Sequence, residues 1–371
     1  FARGTRQAEL RASAQRVELF QGFLRIDGRD VTPCNGLPAA RPIAIAARGD
    51  DFLVGFRDGT RSLYRAGQFE PVLTLTEDEQ RALAPPTRPS AATNVSAGEL
   101  PSAHVSALTT FQGKLVVGTF DGGAFSIDAH ARISPINGAP RFINALLAEP
   151  DRLWFASATG LFQLKDDEVR EIPLSLAASH VNALTRAKDG TLWLATSDGL
   201  LGLRDAAWQK LDERQGLPSR IVYAVSEGAD GTLWAGTAAG VARIRQDGIE
   251  IFGVENGALP HRWVTALLAD ESGTYVGTYQ GGVTRLDARG ATPIAGTEAL
   301  WLNPQGLERD GQRLYAATMG DGLVAFEPGH GQRKRLVRKL GPLPSTDVTA
   351  VKSFAGALWI GTREGIVRLS P

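Results

Sequence analysis

One short block of apolar residues and glycine recurs eight times along the chain, and no other feature limits the possible folds so tightly. Clear copies stand at residues 115–122 (LVVGTFDG), 192–199 (LWLATSDG), 233–240 (LWAGTAAG) and 358–365 (LWIGTREG), with others at 52–59, 153–160, 274–281 and 314–322. Each reads as an apolar strand with a small fourth residue, closed by a glycine-bearing turn. A second strand of the type Gly-Leu-x-x-Leu follows, and a strand of the type Val-x-Ala-Leu precedes, as at Val105, Ile143, Val181, Val264 and Val348. A fourth, more polar strand completes the unit, as at residues 249–252 (IEIF). Four short strands joined by tight turns make an antiparallel meander.

The leading strand ends at Ile45, Leu108, Leu146, Leu184, Val225, Leu267, Leu307 and Val351, a period close to 40 residues after a longer first step. A lone meander cannot cover both of its apolar faces, but sheets stacked side by side cover one another. The small residues Gly118, Ala156, Ala195, Gly236, Gly277, Ala317 and Gly361 let neighbours approach, and Trp154, Trp193, Trp234 and Trp359 fill the wider gaps as core. The expected fold is an all-β, closed eight-bladed β-propeller of four-stranded antiparallel blades, with seven blades as the alternative. One domain spans 1–371. Residues 1–36 resemble the tail of a repeat, and are expected to donate the outer strand that the C-terminal blade lacks. Residues 73–101 form an inter-strand insertion, in which Thr76 and Glu79 make a capping box for a short helix through Leu83.

Composition agrees and narrows the function. Gly 42 and Pro 20 break long helices, and Lys+Arg 40 against Asp+Glu 40 leaves no net field to attract nucleic acid or an acidic membrane. The lone Cys34 excludes an internal disulfide framework, and no apolar run is long enough for a membrane helix. The chain opens on Phe1, so any export signal or anchor is expected to lie outside it.

The stretch LWIGTREGIVRL at 358–369, with GTLWAGT at 231–237 and GTLWLAT at 190–196, closely resembles the two-component regulator propeller repeat. That resemblance covers about residues 37–371. It implies a sensory or binding propeller, bacterial and periplasmic or extracellular, working in signal transduction, with oligosaccharides a frequent ligand class. The first and seventh units depart from the pattern: Phe56 replaces Thr, and Pro304-Gln305-Gly306-Leu307 replaces Val-x-Ala-Leu.

In such a ring, loops leading into the innermost strands and turns between the second and third strands share one face around the channel. Ligand-binding candidates there are Arg57, His104, Phe120, Asp121, Arg141, His180, Arg220, His261, Arg262, Trp263, Tyr279 and Arg363. Aromatic faces with Arg and Asp are the chemistry that holds sugars or small anions. The second residue of the innermost strand, Ser106, Asn144, Asn182, Tyr223, Thr265, Gln305 and Thr349, either lines the channel or bonds between blades.

Catalytic signatures are scarce. There is no Gly-x-Ser-x-Gly elbow, phosphate loop or dinucleotide fingerprint, and no catalytic residue, metal or cofactor is assigned. The strings at Asp189 and Asp230 resemble sialidase Asp-boxes but are one residue short, and read as hairpin turns. The basic run of Arg333, Lys334, Arg335, Arg338 and Lys339 falls on the expected outermost strand of the seventh blade, where it either guards an edge or offers a surface to an anionic partner. The leading expectation is a non-catalytic propeller that binds a small polar ligand or a protein partner on its channel face. One alternative is a propeller lyase or hydrolase resembling streptogramin lyases, with His104, His180 and His261 around a metal. Another is a structural scaffold in a larger assembly.

Overall fold

The structure is a computed structural model that describes residues 6–12, 15–20, 23–31, 42–56, 60–72, 74–83, 102–174, 180–327, 338–339 and 343–369. Those residues form nine antiparallel meander sheets, as the repeats require. They fall in two compact units, Phe1–Pro89 and Ser90–Pro371.

The first unit holds two four-stranded sheets, one of Arg6–Ala12, Gln15–Phe20, Phe23–Ile26 and Arg29–Val31, the other of Pro42–Arg48, Asp51–Phe56, Arg61–Arg65 and Gln68–Pro71. Alternation sends Val17, Leu19, Leu24 and Ile26 to one face, where they meet Ile45, Phe52, Val54 and Phe56 of the second sheet. The second sheet's other face carries Leu53 and Leu63, and Leu83, which follows the helix Glu77–Ala82, packs on it. That helix starts on the capping box read from the sequence: the Thr76 N–H donates to Glu79 Oε2 (2.8 Å) and the Glu79 N–H to Thr76 Oγ1 (3.3 Å). Arg48 Nε and Nη2 grip both Glu79 carboxylate oxygens at 2.6 Å. Hydrogen bonds from Arg48 and the Thr76 backbone pull the Glu79 carboxyl down to about 2.

The second unit holds seven sheets, numbered here by their inner strands: Val105–Phe111, Ile143–Ala148, Val181–Arg186, Val222–Glu227, Val264–Asp270, Leu302–Asp310 and Val348–Phe354. Each inner strand packs on the next, and Val348–Phe354 packs on Val105–Phe111. The small residues explain the close approach. A Cβ added to Gly118, Gly236, Gly277 or Gly361 would lie 2.7, 2.6, 3.1 or 2.4 Å from Ile143, Val264, Leu302 or Val105, in each case the first residue of the adjoining inner strand. Trp154, Trp234 and Trp359 are buried between sheets, and Trp193 is half-buried against Gly202. Ion pairs join neighbouring sheets at the inner strands' far ends, Glu149 to Arg186 (2.6 Å) and Asp270 to Arg309 (2.6 Å). Glu308 pairs with Lys352 at 2.5 Å, although burial still pushes its carboxyl up.

The Asp189 and Asp230 strings are hairpin turns, as expected. Asp189 Oδ1 accepts from the Thr191 N–H (2.9 Å) and Asp230 Oδ1 from the Thr232 N–H (3.0 Å), which holds both carboxyls below their ordinary range. Among the described residues the N-terminal strands pair with one another, Phe23–Ile26 with Gln15–Phe20 and with Arg29–Val31, and the sheet of Val348–Phe354, Ala357–Thr362 and Gly365–Leu369 has three strands. The sheet at Pro42–Pro71 covers the apolar face of the N-terminal sheet within the first unit. Arg338–Lys339 of the basic run is the outer strand of the sixth sheet, whereas residues 333–335 lie outside the described residues, as does Cys34.

Candidate functional site

Inner strands of the second unit begin with a bulge. Register slips between Ile143 and Ala145, Val181 and Ala183, Val222 and Ala224, Val264 and Ala266, and Val348 and Ala350, so the residue between them is freed from the ladder and re-aimed. Ser106 stands in the same place between Val105 and Ala107. Five side chains of this belt reach the main-chain carbonyl at the start of the next inner strand. Asn144 Nδ2 donates to Val181 O (2.8 Å), Asn182 Nδ2 to Val222 O (2.7 Å) and Thr265 Oγ1 to Leu302 O (3.0 Å). Asn303 Nδ2 donates to Val348 O (2.5 Å), and Thr349 Oγ1 to Val105 O (2.6 Å). Of the two roles open from sequence, bonding between sheets is realised at these positions.

Asn303, not Gln305, holds the equivalent place in the sixth sheet. Leu302 pairs with Thr318 and Leu307 with Ala316, which makes Pro304 and Gln305 a two-residue insertion. Gln305 sits at φ +57 and its Nε2 donates to Tyr223 O in the fourth sheet at 2.9 Å. Gly306 makes this possible: a Cβ there would stand 2.7 Å from both Ala317 O and Asn303 O.

A cavity of about 300 Å³ opens over this belt, at the small end of the range for ligand sites. Its floor is formed by Val105, Ser106, Asn144, Asn182, Tyr223, Asn303, Pro304 and Thr349, and His104, Phe120 and Arg363 complete its lining. Those last three were singled out from sequence. Phe120 is 52% exposed and meets Phe142 edge-on at 5.2 Å. His104 Nδ1 lies 3.2 Å from Asp121 Oδ2, and Arg363 Nε lies 2.8 Å from Asp347 Oδ2. Asp121 also accepts from Ser102 Oγ, and mainly this bond lowers its carboxyl's pKa. Arg141 does not line the cavity, but its Nε donates to Asp121 O at 3.0 Å and its guanidinium lies 5.8 Å from the Phe142 ring.

A second group of candidates gathers elsewhere on the same end of the sheets. Trp263 lies between Tyr223 (5.4 Å) and Tyr279 (4.7 Å), and Tyr279 also meets Trp301 (5.1 Å). His261 Nδ1 accepts from the Trp263 N–H at 3.1 Å, and burial depresses its pKa. Burial raises the Tyr279 hydroxyl. Arg220 and Arg262 are exposed beside these strands, and Arg57 lies outside the described residues. His180 Nε2 is 3.4 Å from Asn144 Nδ2. Each of the three histidines proposed to share a metal therefore contacts its own neighbour. Among the described residues no three His, Cys, Asp or Glu side chains gather to hold an ion.

Sequence reasoning read the departure at Pro304–Leu307 as a replaced strand rather than a two-residue insertion, and so missed the role of Asn303. Trp301 was missed because it lies outside the recurring block.

Residues 175–198 match the family model described as two component regulator propeller. The chain carries that repeat. No curated protein matches it in sequence. Two structures of the extracellular domain of BT4673 from B. thetaiotaomicron, described as a hybrid two component system and as a one component system, are similar to it. The first shares 19% identity over 75% of this chain and 39% of that one, with a TM-score of 0.61. The second shares 13% over 98% and 57%, with a TM-score of 0.60. The chain thus spans less than two thirds of either. Virginiamycin B lyase from Staphylococcus aureus shares 12% identity over 75% of this chain and 97% of that one, with a TM-score of 0.57. At these identities the likeness establishes a β-propeller fold and nothing about chemistry. Among the described residues no helix is long and apolar enough to cross a membrane.

Proposed function

We propose that residues 90–371 form a seven-bladed ring, closed between the strands Val348–Phe354 and Val105–Phe111, that works as a non-catalytic recognition module. It binds a small polar ligand, such as an oligosaccharide, on the channel face, and does so outside the cytoplasm as a sensor of the two-component regulator type. The observation that carries this reading is the cavity over the inner-strand belt, where an exposed aromatic face stands among polar groups on a rigid scaffold. The extracellular relatives support the setting.

A glycan array followed by thermal-shift titration tests it. A specific hit raises the melting temperature by mass action, and Phe120→Ala removes the shift while leaving the unliganded melting temperature within about a degree, because an exposed ring contributes little to folding. Hits that ignore Phe120→Ala and Arg363→Ala would move the site away from the cavity.

A further inference from the structure

Two of the seven bulge residues depart from the belt, and their departures differ in kind. Tyr223 has its carbonyl met by the inserted Gln305. Ser106 has no such compensation: the residue lines the cavity, and its buried Oγ has no hydrogen-bond partner. The hydroxyls of Thr265 and Thr349, no longer than a serine's, reach the matching carbonyls, whereas the Ser106 hydroxyl is turned away from that bond. A buried hydroxyl left unpaired is costly, and a native structure keeps one where a ligand or water completes it.

The surrounding chemistry narrows what completes it. The amides of Asn144 and Asn182 spend an N–H on the neighbouring sheet, which leaves their Oδ1 atoms as acceptors with no donor among the described residues. The basic side chains of the lining already have partners, His104 in Asp121 and Arg363 in Asp347. The floor itself carries no charged side chain. An anion would lose its hydration and meet amide oxygens, whereas an uncharged group that brings O–H donors satisfies Asn144, Asn182 and Ser106 together. The inserted Pro304 takes part in the lining, and a space of about 300 Å³ suits a single ring rather than a threaded chain.

We propose that Ser106, with the amide oxygens of Asn144 and Asn182, is the polar anchor for one uncharged, hydroxyl-bearing ring of the ligand. This rests on the reading of the cavity as the binding site, and deepens it.

The test uses ligand-observed NMR with three matched probes at millimolar concentration: methyl glucopyranoside, the corresponding uronate and the corresponding amino sugar. The neutral probe gives the strongest saturation transfer with the wild-type protein, and Ser106→Asn weakens it by about five- to tenfold. Ser106→Asn restores the side chain used at positions 144, 182 and 303, so it closes the belt on Ile143 O and leaves the melting temperature unchanged or higher. Ser106→Val gives the same loss without the larger side chain and serves if the asparagine variant is perturbed. Binding of a charged probe as strong as that of the neutral one overturns the proposal, as does neutral binding unchanged in both variants, or no binding of the neutral probe to the wild type. An array hit that depends on Phe120 but not on Ser106 overturns this inference alone and leaves the proposed function standing.

Discussion

Substituting Gly361 with alanine asks whether the last sheet really packs on the first, and the sign of the effect gives the answer. Gly361 has no positive φ, so alanine fits its backbone and, on an unpacked sheet, stabilises by about 0.4–1 kcal/mol through lost unfolded-state freedom. In the structure the new methyl would lie 2.4 Å from Val105 Cγ1 and 3.1 Å from Val105 Cβ. Comfortable carbon contacts are about 3.5–4.0 Å, so the seam must open by roughly 1 Å. Overpacking of that kind costs about 1–3 kcal/mol. The net is destabilisation, worth roughly 2–10 °C in a domain of this size. Urea and thermal melts followed by tryptophan fluorescence suit the measurement, because all seven tryptophans lie in residues 90–371. Gly236→Ala, whose methyl would meet Val264 Cγ1 at 2.6 Å, is the positive control inside the stack. Gly55→Ala, whose methyl would meet Leu83 at an ordinary 3.5 Å, is the tolerated control, followed by circular dichroism because its unit holds no tryptophan. If Gly361→Ala stabilises while Gly236→Ala destabilises, the sheets of Val105 and Val348 are not neighbours and the ring is open.

Thr349→Val keeps the shape of the same seam but removes the hydroxyl that serves Val105 O; a loss of about 1–2 kcal/mol in the same melts is expected, against near neutrality for Ser106→Val, whose hydroxyl serves no protein group. Gly282→Ala places a methyl 1.9 Å from Thr297 O at φ +73, so it should cost more than about 3 kcal/mol or abolish folding; a native-like melt would refute the close packing of this turn on Thr297. Glu79→Gln probes the helix of the first unit. Because its folded value of about 2 lies below the ordinary 4.5, the carboxylate's contribution is complete above pH 4.5 and is lost as pH falls towards 2. Hydrogen exchange should therefore show stronger protection of residues 77–83 in the wild type than in Glu79→Gln at pH 7, with the gap closing between pH 4.5 and about 2. A gap that persists at pH 2 contradicts the assignment.

Much of this was legible before any coordinates. The small residues at 118, 236, 277 and 361 were readable as contact points because only the lack of a side chain suits a close sheet-to-sheet approach, and the structure puts each against the next inner strand. The Thr76–Glu79 box and the short Asp turns were readable because their bonds are local. The mouth residues His104, Phe120 and Arg363 followed from their place in the repeat. The convergence of His104, His180 and His261 did not follow, because equivalent positions on successive sheets diverge around the stack, and each ring found a partner in its own surroundings. Nor could the spacing alone reveal that Pro304 and Gln305 were extra residues, since a bulge changes register without changing the pattern of apolar residues on either side.

The order of residues by itself determined what each forty-residue unit is: a meander whose alternating apolar positions leave two faces in need of cover. Tertiary structure decided which face covers which, that Phe23–Ile26 stays with its own sheet, and that one hydroxyl of the belt, at Ser106, is left without a mate. The division has a physical basis. Strand formation and turn geometry depend on neighbours in the chain, whereas burial and hydrogen-bond pairing between sheets depend on distances that only the assembled stack sets.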